Sequence, residues 1–154
     1  MERYEELLIK YNHLLINDCY KLPGNFKGFY DNGVILIDKN LSKAKKLEVL
    51  AEELAHHEIT YGNIIDQKEI QNRKYELKAR RLANEKIISL EGIIKAFLQG
   101  IHNLYELANF FEVTESFVLQ SIEHYKQKYG YSTRCGKYVI QFEPLRVFEY
   151  KNIN

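Results

Sequence analysis

The sequence predicts an α+β fold with a helical C-terminal annex, and three observations support this prediction. A chain of 154 residues that is 45% hydrophobic is long enough to bury one core. Apolar residues recur at helical spacing in several segments. The stretch "GFYDNGVILIDKN" has two short apolar runs on either side of a turn signal, which predicts a β-hairpin. We expect a core over residues 1–98 and, continuous with it, an annex over residues 99–154 that ends in a β-hairpin.

The segment before the hairpin is predicted to be a single helix that stops before "CYKLPGN". Its expected apolar face consists of Leu7, Leu8, Tyr11, Leu14 and Leu15. The hairpin turn is expected at Asp31, Asn32 and Gly33, because an Asn-Gly pair readily adopts the backbone conformation of a tight turn. Residues 34–37, "VILI", then form a short buried strand.

Composition and charge argue against several classes of protein. No stretch approaches the roughly 20 consecutive apolar residues that a membrane span needs. The N-terminus has no signal-peptide cleavage region, so we expect a cytosolic protein. Cys19 and Cys135 are too few for a disulfide framework and are expected to be reduced thiols. A net charge of +1 without a basic block argues against a mainly electrostatic nucleic-acid binder.

The stretch "LEVLAEELAHHEITYG" is predicted to be a helix, with Ser42 as its cap. An apolar stripe runs along it at Leu47, Leu50 and Leu54. Positions four apart lie on the same face, so Glu52 lies over His56 and Glu53 over His57. These pairs indicate either a metal site or an ordinary solvated helix face, and spacing alone favours neither.

A metal site favours one of the two registers. If Glu52 and His56 are the ligands, Glu53 occupies the position of the general base in the HExxH motif. If Glu53 and His57 were the ligands, a leucine that cannot accept a proton would lie there. A catalytic zinc takes three protein ligands, so a third donor is expected on a following element. Glu76 is the candidate, because it shares a helical face with two alanines that allow close helix approach.

At these residues the sequence resembles the ImmA/IrrE family of zinc-dependent metallopeptidases, in the form carried by prophages and mobile elements of Gram-positive bacteria. The similar segments are "LEVLAEELAHHEITYGNI", "YELKARRLANEKII", "LPGNFKGFYDNGVILID" and "YVIQFEPL". The resemblance implies a zincin-like fold, with a small sheet packed on the active-site helix. It makes His56 a Zn²⁺ ligand, Glu53 the catalytic base, and Glu76 the third ligand in an ExxAxxxA pattern. It also implies a protein substrate, a helix-turn-helix repressor encoded beside the protease, whose cleavage derepresses the element. In such sites an edge strand aligns the substrate backbone, and residues 34–37 are our candidate.

The motif departs from the family pattern at one position, because Glu52 replaces the first histidine and the motif reads EELAH. A carboxylate oxygen ligates zinc, so the replacement is chemically possible. Two carboxylates and one neutral imidazole leave the zinc complex formally neutral, whereas two imidazoles and one carboxylate leave it at +1. We therefore expect a less acidified water and either slower hydrolysis or a tighter dependence on substrate docking, with loss of activity as the further alternative. His57 is expected to be a supporting or surface histidine, with substitute ligand or transition-state donor as the alternatives.

The C-terminal stretch "LYELANFFEVTESFVLQSIEHYKQKYG" supports an alternative function, that of a DNA-binding or repressor-binding regulator without peptidase activity. It has the layout of a helix-turn-helix, with Thr114 as the cap of the second helix. The part of that helix that reads "ESFVLQSIEHY" exposes Glu115 and Glu123 and offers only Gln120, Ser121 and His124 as polar contacts, without an arginine. We therefore expect an annex that buttresses the protease or grips the repressor.

Overall fold

The structure is a computed structural model and describes residues 2–62 and 73–151. Its helices are α1 (Arg3–Lys10), α2 (Lys43–Gly62), α3 (Arg73–Ile87), α4 (Leu90–Leu98), α5 (Leu104–Phe111) and α6 (Glu115–Tyr129). Its strands are β1 (Leu15–Asn17), β2 (Gly28–Asp31), β3 (Val34–Ile37), β4 (Ser132–Cys135), β5 (Tyr138–Phe142) and β6 (Leu145–Glu149). The strands form two three-stranded sheets. The predicted α+β fold class is confirmed.

Contacts divide the chain into two compact units, Met1–Ala83 and Asn84–Asn154. The boundary between the two units lies between Ala83 and Asn84, inside α3, whereas the sequence predicts a boundary after residue 98. Within the described residues, no helix is both long enough and apolar enough to span a membrane.

The predicted N-terminal helix is wrong in its second half. Helix α1 ends at Lys10, and the next residues turn into β1, which pairs in parallel with β3. Leu15, expected on the apolar face of the helix, is 72% exposed. The spacing of the leucines favours a helix, but residues 15–17 instead form backbone hydrogen bonds with β3, a strand distant in sequence. Tyr4 is the buried residue of α1, and its hydroxyl donates a hydrogen bond of 2.8 Å to Asp18.

The predicted hairpin is confirmed, with β2 and β3 antiparallel around a two-residue turn. Asn32 and Gly33 both have positive φ, at 47° and 85°, which is the conformation of a type I′ turn. Ile35 and Ile37 of β3 are completely buried. However, the strand order is β1-β3-β2, so residues 34–37 form the central strand. Since both sides of β3 are occupied, its prediction as the substrate-aligning edge strand is wrong, and β2 lies at the edge next to α2.

The active-site helix predicted by the motif is α2. The Ser42 hydroxyl accepts a hydrogen bond of 3.2 Å from the Lys45 backbone N–H, which confirms the predicted cap. The three leucines of the stripe, Leu47, Leu50 and Leu54, are all buried. Helix α2 packs on β2 and β3, which brings Glu53 and the neighbouring polar residues of α2 beside the edge strand.

The second unit contains the predicted helix-turn-helix pair, α5 and α6, and the antiparallel sheet β4-β5-β6. The Thr114 hydroxyl accepts a hydrogen bond of 3.2 Å from the Phe117 N–H, which confirms the cap. Tyr125 lies at the centre of this unit. Its ring stacks on Phe142 at 5.8 Å, and its hydroxyl donates to the Ile88 carbonyl at 2.7 Å. The described part of this unit ends in the three strands β4, β5 and β6, so the predicted terminal hairpin is only a part of this sheet.

Candidate metal centre

Three side chains predicted as ligands lie together in the first unit. Helix α2 presents Glu52 and His56 from adjacent turns, and α3 presents Glu76. One ligand atom from each of the three lies within 4.8 Å of the other two, and the His56 Nε2 is 3.3 Å from a Glu76 carboxylate oxygen. His56 is buried, whereas the Glu76 side chain is about half exposed, at 51%. The cluster is thus open to solvent on the α3 side.

The donor set fits a small divalent metal ion. Tetrahedral bonds of about 2.0–2.2 Å place neighbouring ligand atoms about 3.3–3.6 Å apart. The His56–Glu76 separation of 3.3 Å already has this value, and the other separations do not exceed 4.8 Å, which a change of side-chain rotamer can shorten. One imidazole nitrogen and two carboxylate oxygens are ligands that zinc accepts, and three protein ligands leave a coordination position open.

Glu53 differs chemically from its neighbour Glu52. It is partly buried, and its carboxyl lies against the backbone of β2 at Gly28. Burial, together with the negative charges of Glu52 and Glu76, raises its pKa to about 8. A bound cation would lower this pKa, because a nearby positive charge favours the ionised carboxylate. A carboxyl group whose pKa can be moved through neutrality is suited to accept and release a proton.

Gly28 is required by the close approach of β2 to α2. A Cβ atom built at this position would lie 2.4 Å from Val49 Cγ1 and 3.0 Å from a Glu53 carboxylate oxygen. Both distances are too short for ordinary contact, so any side chain here would displace part of α2 or of the strand. Gly28 was not predicted from the sequence. It could have been noticed as a glycine within a predicted strand, because such a glycine often marks a close backbone approach.

Replacing Gly28 with alanine should lower the free energy of unfolding by about 1–3 kcal/mol, the usual cost of overpacking. Val49→Ala removes the methyl group that makes the shortest contact, so the double variant Gly28→Ala/Val49→Ala should regain part of that loss. Urea unfolding of the parent, both single variants and the double variant measures this coupling. Strictly additive effects would show that the two residues do not collide.

The cluster lines a cleft of about 710 Å³ in the first unit. Its walls are residues of β2 and its turn, polar residues of α2 and the start of α3: Phe26, Gly28, Phe29, Tyr30, Asp31, Asn32, Glu52, Glu53, His56, Thr60, Tyr75 and Glu76. Among these described lining residues, four are carboxylic acids and none is lysine or arginine. The cleft therefore has room for a chain segment beside the edge strand, and its charge opposes an acidic one.

His57 lies outside the three-residue cluster. Its Nδ1 is hydrogen-bonded to the Tyr30 hydroxyl at 2.8 Å, and the two rings meet edge to face at 5.5 Å. This contact joins α2 to β2 beside the cleft. The role of Tyr30 was not predicted from the sequence, because a hydrogen bond between residues 27 positions apart has no local sequence signal.

Two candidate donors four residues apart on one helix, a carboxylate on α3 and a small sheet alongside are the arrangement typical of zincin-type metallopeptidases. A family model described as the IrrE N-terminal-like domain, peptidase family M78, matches residues 10–123. The chain belongs to this family of metallopeptidases, which confirms the resemblance seen in the sequence. Among curated proteins, none matches the chain.

Proposed function

We propose that this protein is a zinc-dependent endopeptidase that cleaves a helix-turn-helix repressor encoded beside it and so derepresses a prophage or mobile element. The observation that carries the proposal is the cluster of Glu52, His56 and Glu76 next to the buried carboxyl of Glu53. Family membership supports the peptidase activity. The choice of zinc is supported by the mixed nitrogen and oxygen donor set, and the repressor substrate by the resemblance to the ImmA/IrrE family.

Glu53 is the proposed proton carrier of the reaction. Glu52, His56 and Glu76 would hold the zinc ion, which would serve as a Lewis acid that acidifies water and polarises the substrate carbonyl. Glu53 accepts a proton from the water as its oxygen attacks the carbonyl carbon. As the C–N bond breaks, Glu53 transfers that proton to the leaving amine. Hydrolysis of each peptide bond thus consumes one water molecule, and Glu53 returns to its ionised state.

The edge strand β2 is the proposed guide for the substrate backbone, in place of residues 34–37. Among the described residues, β2 pairs with β3 alone, on one of its sides, and it lies beside α2. An extended peptide can add to such an edge through backbone hydrogen bonds, with its side chains entering the cleft alternately. The close contact between Gly28 and Glu53 would then keep the base next to the substrate backbone.

The DNA-binding alternative is weakened by the burial of its candidate contacts. Ser121 is completely buried and its hydroxyl donates to the Phe117 carbonyl at 2.8 Å. His124 is also buried and lies 3.1 Å from a Glu85 carboxylate oxygen. Of the three polar contacts expected on α6, only Gln120 stays exposed, with Glu115 and Glu123 on either side in sequence. The lysines of α6, Lys126 and Lys128, are already paired with Glu143 and Glu85, which leaves this surface little with which to neutralise phosphate.

Metal content and DNA retention together distinguish the two functions. The purified chain should contain about one zinc ion, and a chelator should remove both this zinc and the cleavage of the co-encoded repressor. It should bind duplex DNA with a Kd above roughly 10⁻⁶ M at physiological salt. Elemental analysis, gel analysis of the repressor and a DNA titration give the three readouts. A metal-free chain that binds a particular DNA sequence at nanomolar concentration would contradict the proposal.

A further inference from the structure

The proposed reaction leaves one buried residue of the cleft without a role. Tyr75 precedes Glu76 in the first turn of α3, and only 7% of its surface is exposed. Its ring stacks on the imidazole of His56, with the ring centres 5.3 Å apart and the planes 29° from parallel. An aromatic ring packed on one face of an imidazole restricts rotation of that imidazole about its side-chain bonds. Tyr75 therefore contacts one candidate ligand directly and neighbours another along the chain.

The hydroxyl of Tyr75 makes a second connection to α2. It donates a hydrogen bond of 3.2 Å to the His56 carbonyl oxygen and is also hydrogen-bonded to the Thr60 hydroxyl. A phenol has a single proton, so the Thr60 hydroxyl must be the donor in the second bond. These two bonds fasten the start of α3 to the helix that carries Glu52 and His56.

This fastening matters because of where Glu76 lies. The first turn of a helix lacks part of its backbone hydrogen bonds, and a half-exposed side chain there gains little from packing. The position of Glu76 relative to His56 then depends on the contacts of its neighbour. We propose that Tyr75 is a positioning residue that holds His56 and Glu76 in register for a metal ion. The inference rests on the proposed metal centre and adds to it a residue that acts through two of the candidate ligands.

Zinc affinity and the visible spectrum of the cobalt-substituted protein test this role. Tyr75→Phe keeps the stacked ring and loses both hydroxyl bonds, whereas Tyr75→Leu loses the ring as well. The Kd for zinc, measured by competition with a chromogenic chelator, should rise about tenfold for the first variant and about 100-fold for the second. The absorption bands of bound Co²⁺ should shift in both. The control is Tyr4→Phe, since Tyr4 is equally buried in the same unit and its hydroxyl donates to Asp18.

A role in packing alone would lower the melting temperature of all three variants and leave zinc affinity and the cobalt spectrum at the parental values, and this result would overturn the inference. If Tyr75→Leu does not fold, Tyr75→Phe alone decides between the two outcomes. If the parent chain binds neither Zn²⁺ nor Co²⁺, the proposed metal centre fails, and the inference is overturned with it. Parental binding with unchanged variants overturns only the role of Tyr75.

Discussion

Replacing Glu53 with glutamine should slow cleavage of the repressor about 10²–10⁴-fold, the usual contribution of a general base. Glutamine keeps the size of the side chain and can occupy the same space against Gly28, but it cannot accept the proton. The three candidate ligands are untouched, so zinc should stay bound at about one ion per chain. Single-turnover cleavage and elemental analysis of the same preparation measure both quantities.

The matched control is Glu58→Gln, the same chemical change on the same helix. Glu58 is exposed, does not line the cleft, and accepts a long hydrogen bond of 3.4 Å from the Tyr11 hydroxyl. This variant should cleave at the parental rate. If Glu53→Gln also cleaves at that rate, Glu53 is not the base, and the paired glutamates are more simply a polar helix face.

Replacing Glu52 should have an equally large effect whose direction depends on the new residue. Glu52→Ala removes one of three ligands, so both zinc and cleavage should be lost. Glu52→His restores the HExxH pattern with a neutral donor, which makes the zinc complex more positive by one unit of charge. It should retain zinc, and cleavage should be retained or raised, because a more positive complex acidifies water more strongly.

Glu48→Ala controls for the loss of a buried glutamate one turn earlier on the same helix. The Glu48 carboxylate forms an ion pair with Lys45, and Glu48 is not part of the three-residue cluster. The Glu48→Ala variant should have a lower free energy of unfolding and should still retain its zinc. Zinc content and cleavage rate are compared across the parent, Glu52→Ala, Glu52→His and Glu48→Ala. Full zinc content in Glu52→Ala would remove Glu52 from the ligand set.

Several parts of the fold could be predicted from the sequence because their causes are local. The cap at Ser42 and the leucine stripe of α2 depend on residues within a few turns of one helix. The hairpin turn depends on Asn32 and Gly33, which adopt positive φ readily. The pairing of Glu52 with His56 follows from helical spacing, and these are two of the three candidate ligands.

Other features were decided by contacts between residues far apart in the chain. The pairing of β1 with β3 ended the first helix early and put residues 34–37 at the centre of the sheet, which left β2 as the edge strand. The approach of Gly28 to Glu53, and the contacts of Tyr75 with His56 and Thr60, likewise join separate elements. Periodicity and spacing describe the face on which a side chain lies, but not which element packs against that face. The sequence by itself therefore determined the chemistry available on α2, and only the tertiary structure decided which strand, glycine and tyrosine surround it, because those choices depend on the packing of the whole unit.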